Sequence, residues 1–304
     1  MASRLETEIA GIKLANPTML AAGILGMSST FFKRVADAGA GAIVTKSIGL
    51  KARKGYANPT LVEVPCGMLN AMGLPNPGIK NFAEEIVEAK KIGVPIIVSI
   101  FGFSADEFAL VAKKAAKSGA DALELNVSCP HVEKAGAEIG QNPQLVAEVV
   151  KKVKKTVKIP VIMKLTPNVN DICEVAVAAA DAGADAITAV NTFRAMAIDV
   201  ETMKPILANK IGGLSGTAIK PIALRCVFEI YREVKVPVIG CGGITSWQDA
   251  VEFLLAGASA VQIGTAIALK DVEVFRAVAR GIDQYLRRKG FGSVKEIVGL
   301  AHEQ

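Results

Sequence analysis

Apolar runs of four to seven residues recur along the chain, and each follows a stretch in which apolar side chains return at helical spacing. Two short signatures mark the changeover. One reads small-Gly-Ala-x-Ala-aliphatic and occurs at 38–43, 118–123, 182–187 and 256–261; the other is Val-Pro or Ile-Pro leading an apolar run, at 94–98, 159–163 and 236–239. In chain order the two alternate without a gap. A glycine ends a helix well, and a short apolar run suits a parallel strand buried on both faces, so each signature predicts a helix-to-strand passage. Together they mark strands two to eight, and 19–23, just after Asn16-Pro17, supplies a first. Parallel strands need crossovers, and right-handed crossovers wind them in one direction, so the pattern predicts an α/β fold: a (β/α)8 TIM barrel formed as a single domain over 1–304. An open doubly wound sheet is the alternative.

The connections add a direction. Helix-to-strand passages are terse, whereas three strand-to-helix segments, 48–78, 130–141 and 193–215, are long. Long segments in a compact fold usually carry function, and in this barrel the chemistry sits at the C-terminal ends of the strands. Polar residues gather at those ends: Thr45-Lys46-Ser47 after strand two, Ser99 in three, Asn126-Val127-Ser128-Cys129 in four, Lys164 in five, Asn191-Thr192 in six, Cys241-Gly242-Gly243 in seven and Gly264-Thr265 in eight.

Composition narrows the classes. Of 304 residues 51% are hydrophobic and 21% charged, which is the globular range. Lys and Arg exceed Asp and Glu by six (35 against 29), an excess that solvated helix faces such as Lys151, Lys152, Lys154 and Lys155 absorb, with an anionic ligand as the other outlet. Nucleic acid is disfavoured, because the basic residues are scattered and only 5% of residues are aromatic. Five widely spaced cysteines without a C-x-x-C pair suggest neither a disulfide frame nor a zinc site. Arg4 and Glu6 stand where a signal peptide needs an apolar core, and the uncharged stretch 253–269 contains Gly257 and Gly264 at turn positions, so it reads as helix end, turn and buried strand. The expectation is a cytoplasmic protein that crosses no membrane. The N-x-S triplet at Asn126 is then a buried strand end, not a glycosylation site.

Candidate chemistry follows from position. Glycines closing strands seven and eight let backbone N–H groups approach an anion, the usual phosphate clamp of this fold. Neither G-x-G-x-x-G after a strand nor G-x-x-x-x-G-K-S/T occurs, so the anion reads as a flavin or substrate phosphate rather than a Rossmann nucleotide or a triphosphate. Lys46 and Lys164 at barrel strand ends are costly to bury unless each faces an anion or a polarised ring; a structural lysine is the plainer alternative. Cys129 is either core or a reactive thiol, and Cys66, Cys173, Cys226 and Cys241 read as core or bystanders. His131 could orient a ligand or be incidental to its loop.

Four stretches then carry a resemblance: N-A-M-G-L-P-N-P-G at 70–78, N-V-S-C-P-H at 126–131, N-T-F-R-A-M-A-I-D at 191–199 and G-G-L-S-G-T-A-I-K-P at 212–221. In this order the chain, from about residue 5 to its end, resembles the class 1B dihydroorotate dehydrogenases, catalytic subunit. The resemblance implies FMN-dependent oxidation of (S)-dihydroorotate to orotate in pyrimidine synthesis, with Cys129 as the base at C5 and hydride passing from C6 to FMN. Class 2 members have serine in that position and an N-terminal membrane extension; this chain has neither. N-T-F-R-A-M-A-I-D and G-A-E-I-G at 136–140 resemble class 1B rather than 1A, which implies a partner subunit carrying FAD and a [2Fe-2S] cluster, with NAD as final acceptor, and a homodimer of catalytic subunits within a heterotetramer.

By position, the resemblance assigns the substrate to Lys46, Asn70, Met72, Gly73, Leu74, Asn126, Asn191 and Thr192; asparagine suits a ring that offers both donors and acceptors. It assigns FMN to Ala22, Lys46, Ser47, Ser99, Asn126, Lys164, Val190, Gly216, Gly242, Gly243, Gly264 and Thr265, with Lys164 near the edge where the reduced ring gathers charge. Ala22 departs from the serine often found there, so a backbone contact survives and a hydroxyl contact does not. A dihydropyrimidine dehydrogenase of the same superfamily, a colourless phosphate-binding lyase or aldolase, and a basic non-enzymatic binding protein remain as alternatives.

Overall fold

The computed structural model describes residues 3–127 and 136–303. Eight parallel strands close into a barrel: β1 (Thr18–Leu20), β2 (Ala42–Val44), β3 (Ile96–Ile100), β4 (Ala122–Asn126), β5 (Val161–Lys164), β6 (Ala186–Ala189), β7 (Val238–Cys241) and β8 (Ala258–Ile263). They pair in chain order, and Thr18 of β1 beside Val261 of β8 closes the ring. Eight principal helices surround it: α1 (Ser29–Asp37), α2 (Ile79–Ala89), α3 (Ala105–Lys117), α4 (Pro143–Lys154), α5 (Ile172–Asp181), α6 (Lys220–Glu233), α7 (Trp247–Leu255) and α8 (Val274–Lys289). The expected (β/α)8 barrel is therefore the observed fold, and every strand inferred from the two signatures is present.

The repeated Gly-Ala signature has a physical cause. After α1, α3, α5 and α7 the glycine takes a left-handed φ, 97° at Gly39, 98° at Gly119, 100° at Gly183 and 111° at Gly257, a turn that an L side chain enters only with strain. The aspartate that follows in two copies does further work. Asp121 accepts from Ile96 N at 2.8 Å and Asp185 from Val161 N at 2.7 Å, so each ties down the first amide of the preceding strand, and each also pairs with a lysine, Lys90 and Lys154 respectively. Helix starts are equally local: Asn142 caps α4 with Pro143 at its first position, Asp171 caps α5, and Ser246 with Asp249 forms a reciprocal capping box on α7.

Strand alternation divides the core in two. Leu20, Ile43, Val98, Leu123, Met163, Ile187 and Val261 face the helices, whereas Met19, Ala42, Val44, Ile97, Ala122, Ile162, Ala186, Ile239 and Ala260 fill the barrel interior. Small alanines there leave room for the larger isoleucines opposite. Ile9 and Leu14 of an N-terminal hairpin, Thr7–Ile9 with Ile12–Leu14, join the interior cluster and plug it at one end.

The long strand-to-helix segments differ from simple loops. Leu61–Val64, Gly67–Asn70, Gly212–Ser215 and Phe193–Ala195 assemble a four-stranded antiparallel sheet at the open end, in which Asn70 pairs with Gly213. Leu69, Ala71 and Leu207 form a small core of its own beneath it. The stretch 253–269 divides as expected into the end of α7, a turn and β8, followed by a short helix, Ala266–Lys270. Among the described residues no helix is long and apolar enough to cross a membrane.

Candidate active site

At the C-terminal ends of the strands, beneath the antiparallel sheet, lies a cleft of about 380 Å³, within the size range of cofactor and small-molecule sites. One wall comes from the sheet and its flanks: Met68, Asn70, Met72, Gly73 and Leu74. The strand ends supply Ala22, Lys46, Ser47, Asn126, Lys164, Val190, Asn191 and Thr192. The far side is backbone-rich, with Gly216, Gly242, Gly243, Gly264 and Thr265. The site residues singled out from sequence thus converge on one site, with Ser99, Cys129 and His131 as the exceptions. Ser99 stands behind the wall, fully buried, with its hydroxyl 2.9 Å from that of Ser47. Cys129 and His131 lie outside the described residues.

A chain of side-chain hydrogen bonds orders the polar wall. Asn126 Nδ2 donates to Ser47 Oγ at 2.8 Å, Asn191 Nδ2 donates to Asn126 Oδ1 at 3.3 Å, and Asn191 Oδ1 accepts from Thr192 N at 2.8 Å. Asn168, which does not line the cleft, continues the chain by donating to Thr192 O at 3.0 Å. On the sheet side Asn70 Nδ2 donates to Gly213 O at 3.3 Å. Thr192 sits so close beneath Gly213 that a side chain there would overlap its hydroxyl.

The glycine side is a cradle shaped by steric need. Gly242 and Gly243 have φ of 137° and 73°; a Cβ on Gly242 would lie 2.7 Å from Ala223 Cβ, and one on Gly243 2.7 Å from Lys220 Cβ and 2.8 Å from Gly216 O. Only bare backbone fits. Beside it Thr265 Oγ1 donates to Ser215 Oγ at 2.8 Å. Backbone turns and hydroxyls in this arrangement form a donor set suited to a phosphate.

The two lysines differ. Lys46 is half-buried, and burial pulls its ammonium below the ordinary lysine range; no carboxylate among the described residues pairs with it, so an anionic ligand is its natural counter-charge. Lys164 is 4% exposed and already paired within the protein: Gln262 Oε1 accepts from its Nζ at 2.8 Å, and Glu124 Oε1 lies at 3.4 Å. Burial by itself would lower this ammonium, but the Glu124 carboxylate and the neighbouring Cys241 hold it above its ordinary value. Glu124 and Gln262 are the neighbours that sequence reasoning passed over, and Cys241, read from sequence as core or bystander, lines the cleft beside them. The signal for Glu124 was a lone carboxylate within the apolar run Ala122-Leu123-Glu124-Leu125, two residues before Asn126 and hence on the same inward face.

A closed parallel barrel with its cleft at this face and glycine turns after its seventh and eighth strands is the architecture of the phosphate-holding (β/α)8-barrel enzymes. Within that class the chain belongs to the dihydroorotate dehydrogenase family, whose model matches residues 4–286. It is 56% identical over 299 residues to the dihydroorotate dehydrogenase B (NAD(+)), catalytic subunit, of Pyrococcus furiosus, covering 98% of this chain and 99% of that one. Proteins of the same description from Thermococcus kodakarensis and Methanocaldococcus jannaschii are 55% and 52% identical, covering 99% and 98% of this chain and 99% and 98% of theirs.

Proposed function

We propose that this chain, as one barrel unit over 1–304, oxidises (S)-dihydroorotate to orotate in pyrimidine synthesis as the FMN-carrying catalytic subunit of an NAD-linked enzyme. The observation that carries the reading is a single cleft in which the asparagine wall, the half-buried Lys46 and the glycine cradle face one another. The cradle fits a flavin phosphate, since any Cβ on Gly243 would fill the space its neighbours need. FMN, when bound, supplies the hydride acceptor.

The chain's own residues supply the rest. Gly216, Gly242, Gly243, Gly264 and Thr265 hold the phosphate, and Ala22, Ser47 and Val190 bound the ring, with Ser99 fixing the Ser47 hydroxyl. Asn70, Asn126, Asn191 and Thr192 present amides and a hydroxyl to the substrate, Met72, Gly73 and Leu74 close over it, and Lys46 offers positive charge to its carboxylate. Cys129, two positions beyond the last described residue of the β4 segment, takes the proton from C5. Only the thiolate can take that proton, so the step quickens as pH rises.

The names of the relatives support a separate electron-transfer subunit, which we read as carrying FAD and a [2Fe-2S] cluster and passing electrons to NAD. We further read the assembly as a homodimer of catalytic subunits within a heterotetramer, in the cytoplasm. The test is a visible absorption spectrum of the purified chain before and after substrate. A flavin spectrum that bleaches with dihydroorotate and not with dihydrouracil is expected; a colourless chain, or one bleached by dihydrouracil alone, would overturn the reading.

A further inference from the structure

Alternation along four strands brings Glu124 of β4, Lys164 of β5, Thr188 of β6 and Gln262 of β8 into one polar layer across the barrel, directly above the apolar layer of Ile97, Ala122, Ile162 and Ile239. Its contacts are mutual. Gln262 Nε2 donates to Glu124 Oε2 at 2.5 Å, Thr188 Oγ1 donates to the same oxygen at 3.1 Å, and Gln262 Oε1 accepts from Lys164 at 2.8 Å. Lys164 and Gln262 reach the floor of the cleft, whereas Glu124 is 0% exposed and lies behind them.

A carboxylate in that place is costly, and a barrel interior packs as well or better with an apolar residue of similar volume. Its placement serves the lysine. We propose that Glu124 is a positioning residue for the cleft: with Gln262 as the bridge, it keeps Lys164 a fixed ammonium at the floor, so that the electron affinity of the bound ring does not follow Lys164 ionisation. Without the carboxylate, Lys164 would keep Gln262 as a neutral acceptor but lose its buried negative neighbour, a change that makes a buried ammonium more acidic. The other titratable groups turned toward the layer, among the described residues, are Cys241 from β7 and Lys46 across the same cleft. Cys241 is a partly buried thiol whose titration burial pushes up, with Lys164 acting against that and Glu124 with it. Lys46 can only repel the Lys164 ammonium, so neither replaces Glu124.

The inference rests on the reading that a flavin occupies the cleft, and two measurements separate the failures. The first is a ¹⁵N titration of the Lys164 Nζ, assigned by its loss in Lys164→Met, which needs no flavin. Lys164 should titrate above the ordinary lysine range in the parent and at least about one unit lower in Glu124→Gln. The second is the flavin midpoint potential against pH. Glu124→Gln should show an added break at the pH where its Lys164 titrates, absent from the parent and from the Glu124→Gln/Lys164→Met pair. A Glu124→Gln variant with the parent's lysine titration and potential profile would overturn the proposal. Should that variant not fold, a parent Lys164 found neutral at pH 8 overturns it alone. A chain that binds no flavin overturns the occupancy reading while the lysine titration still decides the role of Glu124.

Discussion

Asn126 and Ser47 hold the ends of β4 and β2 together by a 2.8 Å hydrogen bond, across the intervening β3. Asn126 also accepts from Asn191, so it is the shared member of the wall, whereas among the described residues the Ser47 hydroxyl ties to Asn126 and Ser99. Asn126→Ala should therefore weaken dihydroorotate binding by about 100-fold and Ser47→Ala by about tenfold, at about 1.4 kcal/mol for each factor of ten. Titrating the bleaching of the flavin with substrate measures both. Equal losses would contradict the shared role.

The cradle predicts a contrast between glycines. Gly243→Ala must displace Lys220 or the Gly216 carbonyl as well as strain the backbone, so FMN retention should fall by at least about tenfold, with a stability loss of roughly 1–3 kcal/mol. Gly93→Ala, at φ 87° but with nothing within 4 Å of the added carbon, should lose some stability and keep its FMN affinity. Quenching of FMN fluorescence by the apo-protein, alongside thermal melts, compares the two.

Cys129→Ala should slow flavin reduction by dihydroorotate by at least about 100-fold, the usual worth of a positioned base. The parent's rate should climb with pH, since only the Cys129 thiolate can take the proton. Cys241→Ala should do far less, because burial pushes the Cys241 thiol up and keeps it protonated at neutral pH. Stopped-flow traces at several pH values distinguish the two thiols.

Asp249 sets an acid limit on the α6–α7 junction. Burial opposes its ionisation, but the Lys220 ammonium at 2.8 Å and hydrogen bonds from Thr245 and Ser246 hold its carboxyl down to about 2. Its folded value lies below the unfolded one, so the stabilisation is complete above about pH 4 and disappears as pH falls through 2. Asp249→Asn should cost roughly 2 kcal/mol at pH 7, and the difference from the parent should close near pH 2. Urea unfolding across that range reads it directly.

The barrel was legible because its rules are local. Gly39, Gly119, Gly183 and Gly257 each end a helix by a conformation that few other residues adopt, and the strand that follows is buried on both faces. The glycine cradle was legible from its place after strands seven and eight, whereas the asparagine wall was legible through the resemblance of its motifs to known enzymes. What escaped was non-local. Gly67–Asn70 and Gly212–Ser215 contain three glycines and no alternating pattern, and they become the central strands of the sheet by pairing with each other across the mouth. Glu124 escaped because attention to strand ends passes over residues one step deeper, where alternation turns a polar group inward as surely as at the rim. Ser99 was placed correctly on its strand, yet one layer too far back to touch the cleft.

The pairing of Asn70 with Gly213 joins positions 143 residues apart. Closing so long a stretch of chain is entropically expensive, and contacts of this range form slowly. The sheet over the mouth can therefore be completed only after the four barrel strands between those segments, β3 to β6, have found their places. A growing chain that has made the first half of the barrel already owns Lys46, Asn70 and Asn126, but no roof to hold them to the glycines still to come. The site is thus a property of the finished chain, and a nick or insertion within 61–70 or 212–215 should abolish ligand binding while leaving most of the barrel intact.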